Sequence, residues 1–327
     1  MTKKTIAIIA IALVVVVALV LAIALGSNGS TLKLSMGTGG SGGTYYAFGG
    51  VLSQYITNKA GVTCTAASSD GSKANIQGID AGDYQLGTVQ SDVMAYAWAG
   101  SNSFAKDGAI NSFRVIGGLY AEAVQLITVD PDIKTPADLA GKKVSIGAPA
   151  SGVYFNAMDV LAAVGLTEQD IDAQYQSFND SADSLKDGTI DAAFVVAGAP
   201  TPAVVELMTT NSNARLIPID GEVSATIMAS CPYYTEYKIP AGTYKGQDSD
   251  VTTITVKATL IVSADLDEDT VYEITKAIFD NIDAIKAEHA KGAELSIENA
   301  TSGMTAPFHK GAAKYFAEKG VTGLNAQ

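Results

Sequence analysis

Short apolar runs rich in β-branched residues alternate with helix-length segments along this chain, and turns of glycine and serine join them. "TLKLSM" precedes "GTGGSGG", and a helix is predicted from about Tyr45 to Asn58. "VTCTAAS", "YQLGTVQ" and "FRVIGGLYAEAVQLITV" read as further strands, with helices over "SKANIQGIDAGD" and "SDVMAYAWAG" between them. From Asp130 the pattern restarts: a short turn at Pro136–Leu139, a strand at "KKVSIGA", a helix after "SG" and a further strand–turn–helix through "AAFVVAGAPTPAVVELM". A strand that feeds a helix must cross over before it pairs again, so this order predicts a mostly parallel α/β sheet, built twice, with a cleft between the halves. The longest helical pattern, after Asp267, aligns Val271, Ile274, Ile278, Ile282 and Ile285 on one face.

Composition narrows the class. Apolar residues make up 47% and charged residues 17% of the 327, a globular balance. The net charge of −13 and the lack of a basic cluster argue against nucleic acid as a partner. Lys3 and Lys4 precede an uncharged run, Ile6–Leu25, of 20 residues. At ~1.5 Å per residue it is long enough to cross a ~30 Å hydrocarbon core. The lysines predict a cytoplasmic N-terminus, and the length favours a retained anchor over a cleaved signal. "GSNGST" follows as a tether, leaving an acidic, extracytoplasmic, monomeric domain anchored to the cell membrane, or secreted or periplasmic if the anchor is cleaved. Cys64 and Cys231 are expected as two buried thiols, although an oxidising compartment would also permit a pair.

Five small-residue turns open helices: Gly39–Thr44, Ser69–Ser72, Gln90–Asp92, Ser151–Val153 and Gly198–Thr201. Each presents backbone N–H groups at the positive end of a helix, on the side of an α/β sheet where ligands bind. Any one of them is an ordinary helix cap; together, in both halves, they predict a shared anion site. The only arginines, Arg114 and Arg215, lie outside these turns, so helix N-termini and hydroxyls must carry the neutralisation. Tyr45 and Tyr154 read equally as hydroxyl donors and as core fillers. Asp92 reads as a partner for a ligand amine or as a helix cap.

Enzyme signals are weak. Gly37-x-Gly39-x-x-Gly42 has dinucleotide spacing, but Asp70, the next acid, lies 28 positions beyond Gly42 instead of ~20. A P-loop lysine and HExxH are both missing. His289 is expected at a solvent-facing helix end, and His309 as a packing or capping residue. The reading is a non-enzyme without metal or cofactor.

Seven segments in order, "GTGGSGGTYYAFGG", "SSDGSKANIQGIDAGDYQLGTVQSDVMAYAWAG", "PADLAGKKVSIGAPASGV", "AGAPTPAVVEL", "IPAGTYKG", "VKATLIVSADL" and "APFHKGAAKYFAEKG", resemble the TAXI-type solute receptors of tripartite ATP-independent periplasmic (TRAP) transporters. The resemblance implies a two-lobed periplasmic-binding-protein fold with two crossovers. With residues 1–30 read as anchor and tether, a departure from the cleaved signal or lipobox of many relatives, the lobes are expected at 31–121 plus 263–327 and at 122–262. The resemblance implies capture of a small carboxylate such as glutamate, glutamine or 2-oxoglutarate, and delivery to TRAP membrane permease subunits. Carried onto this chain, the site comprises Gly42, Gly43, Thr44, Tyr45, Ser72, Gln90, Ser91 and Asp92 from one lobe. Ser151, Gly152, Val153 and Tyr154 come from the other, with Gly198, Ala199 and Pro200 as the far wall. The competing readings are a sensor domain for a membrane kinase and a nucleotide-binding oxidoreductase.

Overall fold

A computed structural model of the chain describes residues 31–327. The apolar N-terminal run lies outside them. Among the described residues no helix is long and apolar enough to cross a membrane.

The first half runs β1 (Lys33–Gly37), α1 (Thr44–Lys59), β2 (Thr63–Ala67), α2 (Ser72–Asp80), β3 (Leu86–Gln90) and α3 (Ser91–Ala99). A long strand, β4 (Phe113–Thr128), leads into β5 (Lys143–Ser145), α4 (Val153–Ala163), β6 (Asp172–Gln174), α5 (Phe178–Lys186), β7 (Ala192–Ala197) and α6 (Pro202–Thr210). Then come β8 (Arg215–Ile217), α7 (Gly221–Ser230), β9 (Thr235–Ile239) and a second long strand, β10 (Val251–Ser263). The chain closes with α8 (Glu268–Phe279), α9 (Ile282–Glu288), α10 (Ile297–Thr301) and α11 (Lys310–Glu318).

The sheet order is β2-β1-β3-β10-β4-β7-β5-β6, with β8 on β4 and β9 on β10. β1 runs parallel to β3, and β5 parallel to β6 and β7. The expected parallel character stops there. β10 is antiparallel to β3 and β4, and β4 is antiparallel to β7, so the sheet is mixed. The reason is the length of the two crossing strands, 16 and 13 residues. One end of β4 pairs with β10 from Phe113 to Ala123, and the other with β7 from Ala123 to Thr128. β4 is covered along nearly its whole length, as a strand buried on both faces must be.

The apolar residues separate along these strands. Met36, Leu52, Ile76, Val115, Leu260 and Phe316 belong to one core, drawn from both ends of the chain. Val124, Val144, Val160, Phe194 and Val256 form a second. Ile127, Val195, Leu207 and Tyr244 pack on the opposite face of the same strands. Cys64 lies in the first core and Cys231 in the second, each a buried free thiol.

Two expectations change. The long C-terminal helix breaks after Phe279: Asn281 leaves helical geometry, while the Asp280 carboxylate accepts from Lys276, Lys319 and Tyr315, the last two at 2.7 and 2.8 Å. Asp267 caps its start, accepting from the Thr270 N–H at 2.9 Å. His289 is half-buried, its ring 5.1 Å from that of Phe48. His309 is buried and caps α11 through Nδ1.

Candidate functional site

Between the two cores lies a cavity of about 410 Å³. Gly43, Gly71, Gln90, Gly152 and Ser177 all stand on its wall, and each is the N-cap of a helix, α1 to α5 in turn. Three of these caps are glycines, which have no side chain with which to cap. Gln90 does not cap either; only Ser177 accepts from its own first turn, at Asp180 N. First-turn N–H groups of four helices therefore have no acceptor from their cap side chain, and point toward one space.

The loops are held rigidly by buried polar groups. Asn75, fully buried, donates through Nδ2 to the carbonyls of Thr38 and Thr88 at 2.7 and 2.8 Å. Its Oδ1 accepts from Ser69 Oγ at 2.7 Å, and Ser69 Oγ accepts from Gly71 N at 3.1 Å. Gly71 has φ +106°, a conformation that side chains rarely adopt, so the turn before α2 requires glycine. Ser72 Oγ then accepts from the Gln90 N–H at 3.1 Å, tying the α2 start to the α3 start.

The halves touch across the cavity. Thr44 Oγ1 donates to the Gly198 carbonyl at 2.7 Å, and Ala203 N–H to the Gly42 carbonyl at 3.1 Å. Ala74 N–H reaches the Ala150 carbonyl at 3.3 Å, and Gln90 Nε2 donates to Asn156 Oδ1 at 2.9 Å. The approach is close enough that a Cβ on Gly152 would stand 1.5 Å from Gln90 Oε1, and one on Gly42 would stand 2.1 Å from Asn179 Oδ1.

Of the residues expected at the site, Gly42, Gly43, Thr44, Tyr45, Ser72, Gln90, Ser151, Gly152 and Val153 line this cavity. Six others stand elsewhere. Ser91 Oγ accepts from the Lys257 N–H at 3.1 Å, inside the sheet. Asp92 is fully buried behind Gln90; its Oδ2 accepts from Asn156 Nδ2 at 3.0 Å, and burial pushes its carboxyl up to about 7. Tyr154 does not line the cavity: it is half-buried against the second core, donating to Glu168 Oε2 at 2.7 Å and stacking on Tyr175. It falls off the buried stripe of α4, which is Val153, Asn156, Ala157, Val160 and Leu161. Gly198 offers its carbonyl to Thr44 and Thr201, and neither it nor Ala199 nor Pro200 lines the cavity. The far wall is instead Val196, Ala197 and Phe178, and α5 supplies the fifth helix N-terminus in place of the turn at Gly198.

Among the wall residues that were not anticipated, one is a buried carboxylate. Glu122, 1% exposed, reaches the cavity from β4, and its Oε1 accepts a hydrogen bond from the Tyr45 hydroxyl. Burial drives its carboxyl well above the usual carboxylate range, opposed in part by the Tyr45 bond and by Lys291. The sequence did carry a signal: Glu122 is the one carboxylate in the 16-residue apolar run of β4. Among the described residues no lysine or arginine lines the cavity; Asp70 and Glu122 are its charged side chains.

Two lobes on a mixed sheet, joined by long crossing strands and meeting over a cavity ringed by helix N-termini, define a periplasmic-binding-protein fold. The profile of the NMT1-like family matches residues 36–320, and the chain belongs to that family. Its backbone is similar to that of a protein from Bordetella bronchiseptica RB50, at a TM-score of 0.54 and 18% identity, over 89% of this chain and 81% of that one. It also matches a putative L-cystine ABC transporter protein of Listeria monocytogenes (TM-score 0.49, 17% identity, 81% and 98% covered). A third match is the periplasmic aliphatic sulphonate binding protein of Escherichia coli (TM-score 0.43, 16% identity, 88% and 84% covered).

Proposed function

We propose that the chain is an extracytoplasmic solute receptor without catalytic activity, and that it captures a small carboxylate between its lobes for a TRAP-type membrane permease. The observation that carries this reading is the set of five helix N-caps on one cavity wall that has no lysine or arginine among the described residues. Each helix end carries about half a positive charge and unsatisfied donors, the combination an anion needs. A volume of about 410 Å³ is at the small end for ligand sites and suits a compact solute.

The dinucleotide reading loses support from the same loop. Gly37 lies inside β1, where a Cβ would stand 2.5 Å from Asn75 Oδ1, so that glycine serves packing. The rest of the loop faces the opposite lobe across a small enclosed space. The TRAP assignment rests on the seven sequence segments, and the site of Gly42, Gly43, Thr44, Tyr45, Ser72, Gln90, Ser151, Gly152 and Val153 on their placement around the cavity.

Isothermal titration with glutamate, glutamine, 2-oxoglutarate and C4–C6 dicarboxylates tests the reading. At least one member is expected to bind with an affinity that survives millimolar competition by acetate. Absence of binding across the panel overturns the carboxylate assignment.

A further inference from the structure

Resting on the carboxylate reading, we propose that Glu122 is the specificity-determining residue of this cavity: it receives the ammonium group of the ligand, so that the receptor takes an α-amino acid and refuses the keto acid or plain dicarboxylate of the same skeleton. The geometry divides the wall into donors and one acceptor. Helix N-termini supply N–H groups and call for ligand oxygens. Glu122 does the reverse. Its Oε1 accepts from the Tyr45 hydroxyl, and among the described residues no hydrogen bond reaches its Oε2. A carboxylate 1% exposed with one oxygen unpaired requires a donor, and a cationic one balances its charge.

Among the described residues, the lysine whose charge reaches Glu122, Lys291, is already committed to another acid. Lys291 is 4% exposed, but its Nζ pairs with Glu294 Oε1 at 2.6 Å and stands 5.8 Å from the Tyr120 ring. Lys257 spends its Nζ on the carbonyls of Asn299 and Ser302. The other groups that act on Glu122 are Tyr45, Tyr120 and Asp92, which bring acidic protons or negative charge. Burial is the main cause of the upward push on the Glu122 carboxyl, and a ligand ammonium beside it would draw the group back toward its ionised form. Asp92, the acid that the sequence offered for a ligand amine, is sealed behind Gln90 and already bonded to Asn156. A keto acid would set its oxygens against Glu122, acceptor against acceptor, whereas an ammonium closes the charge balance of a site that also holds a ligand carboxylate.

The test is titration of the full chain with four C5 probes, L-glutamate, L-glutamine, 2-oxoglutarate and glutarate, using wild type, Glu122→Gln and Glu122→Asp. A charge-assisted hydrogen bond corresponds to about 10- to 100-fold in affinity. The amino acids should bind wild type at least that much more tightly than 2-oxoglutarate and glutarate. Glu122→Gln should remove the preference, with Glu122→Asp recovering part of it. Circular dichroism and the melting temperature establish that each variant is folded; should Glu122→Gln fail to fold, the wild-type ranking and Glu122→Asp decide. Equal binding of the keto acid by wild type, or a preference that survives in Glu122→Gln, overturns the proposal while leaving the carboxylate reading in place. Binding of no probe at all overturns both.

Discussion

Asp92→Asn isolates the cost of a buried acid. The wild-type side chain is fully buried, its Oδ2 accepts from Asn156 Nδ2 and its Oδ1 has no donor. Burial raises its pKa from an ordinary 3.8 to about 7 in the fold. The folded chain therefore holds this proton more tightly than the unfolded chain, and stability falls as pH rises from about 4 to about 7. The slope is ~1.4 kcal/mol per pH unit, and the full span is ~4 kcal/mol. Asparagine cannot ionise, so the variant escapes this loss. Urea unfolding of both chains at half-unit steps from pH 5 to 8 measures it; subtraction cancels acids remote from Asp92, while Asp159 and Glu122, which feel its charge, add a smaller difference of their own. The difference, variant minus wild type, should grow in favour of the variant by ~1 kcal/mol or more per unit up to pH 7, then level off. Parallel profiles would mean that Asp92 stays ionised in the fold, and would refute the burial argument.

Two further outcomes follow from the tight glycines. Gly42→Val puts a branched side chain where a Cβ already stands 2.1 Å from Asn179 Oδ1 and 3.1 Å from the Ala203 Cβ. It should hold the lobes apart, seen as a larger radius of gyration in solution scattering and at least tenfold weaker ligand binding, with little change in unfolding midpoint; unchanged affinity would contradict this. Gly152→Ala displaces Gln90 from Asn156, since a Cβ would stand 1.5 Å from Gln90 Oε1. Stranding these buried partners should cost about 1–3 kcal/mol in denaturant unfolding, and a loss within error would show that Gln90 relaxes freely.

Local chemistry made much of this architecture readable. The glycine turns and apolar runs placed α1 at 45–58, against Thr44–Lys59 observed, and marked β4 as one extended segment. Four of the five helix-opening turns reach the cavity for the same reason: a helix start after a strand is a local event, and its donors point where the strand ends. What escaped was non-local. No pattern within β4 says that it pairs antiparallel to β7, because pairing is decided by a strand whose partner residues lie 64 to 74 positions away. Glu122 joins the site only because β4 carries it beneath the α1 loop, where Tyr45 meets it. Tyr154 was misplaced by motif, although the phase of α4 already set it off the buried stripe. Asp280 broke a five-residue apolar stripe through lysine and tyrosine partners, two of them about 35 and 39 positions along the chain.

The contacts across the cavity also bear on how such a receptor would open. They are hydrogen bonds between loops of small residues: Thr44 to Gly198, Ala203 to Gly42, Ala74 to Ala150, Gln90 to Asn156. The apolar cores lie on either side and are not shared across it. Each such bond exchanges for one with water at a net of only about 1 kcal/mol, so parting the lobes sacrifices little that solvent does not return. A ligand that fills the cavity adds charge-assisted bonds from helix ends belonging to both lobes, and these exist only when the lobes meet. That difference in affinity is what shifts a closing equilibrium, and a few kcal/mol are enough. Behind the cavity, Asn156 joins Gln90 to Asp92 and Tyr234, and Tyr234 donates to Asp159 at 2.7 Å. Gln90 stands on the wall and in this chain of bonds at once, so a ligand that presses on it acts directly on the polar bridge between the lobes.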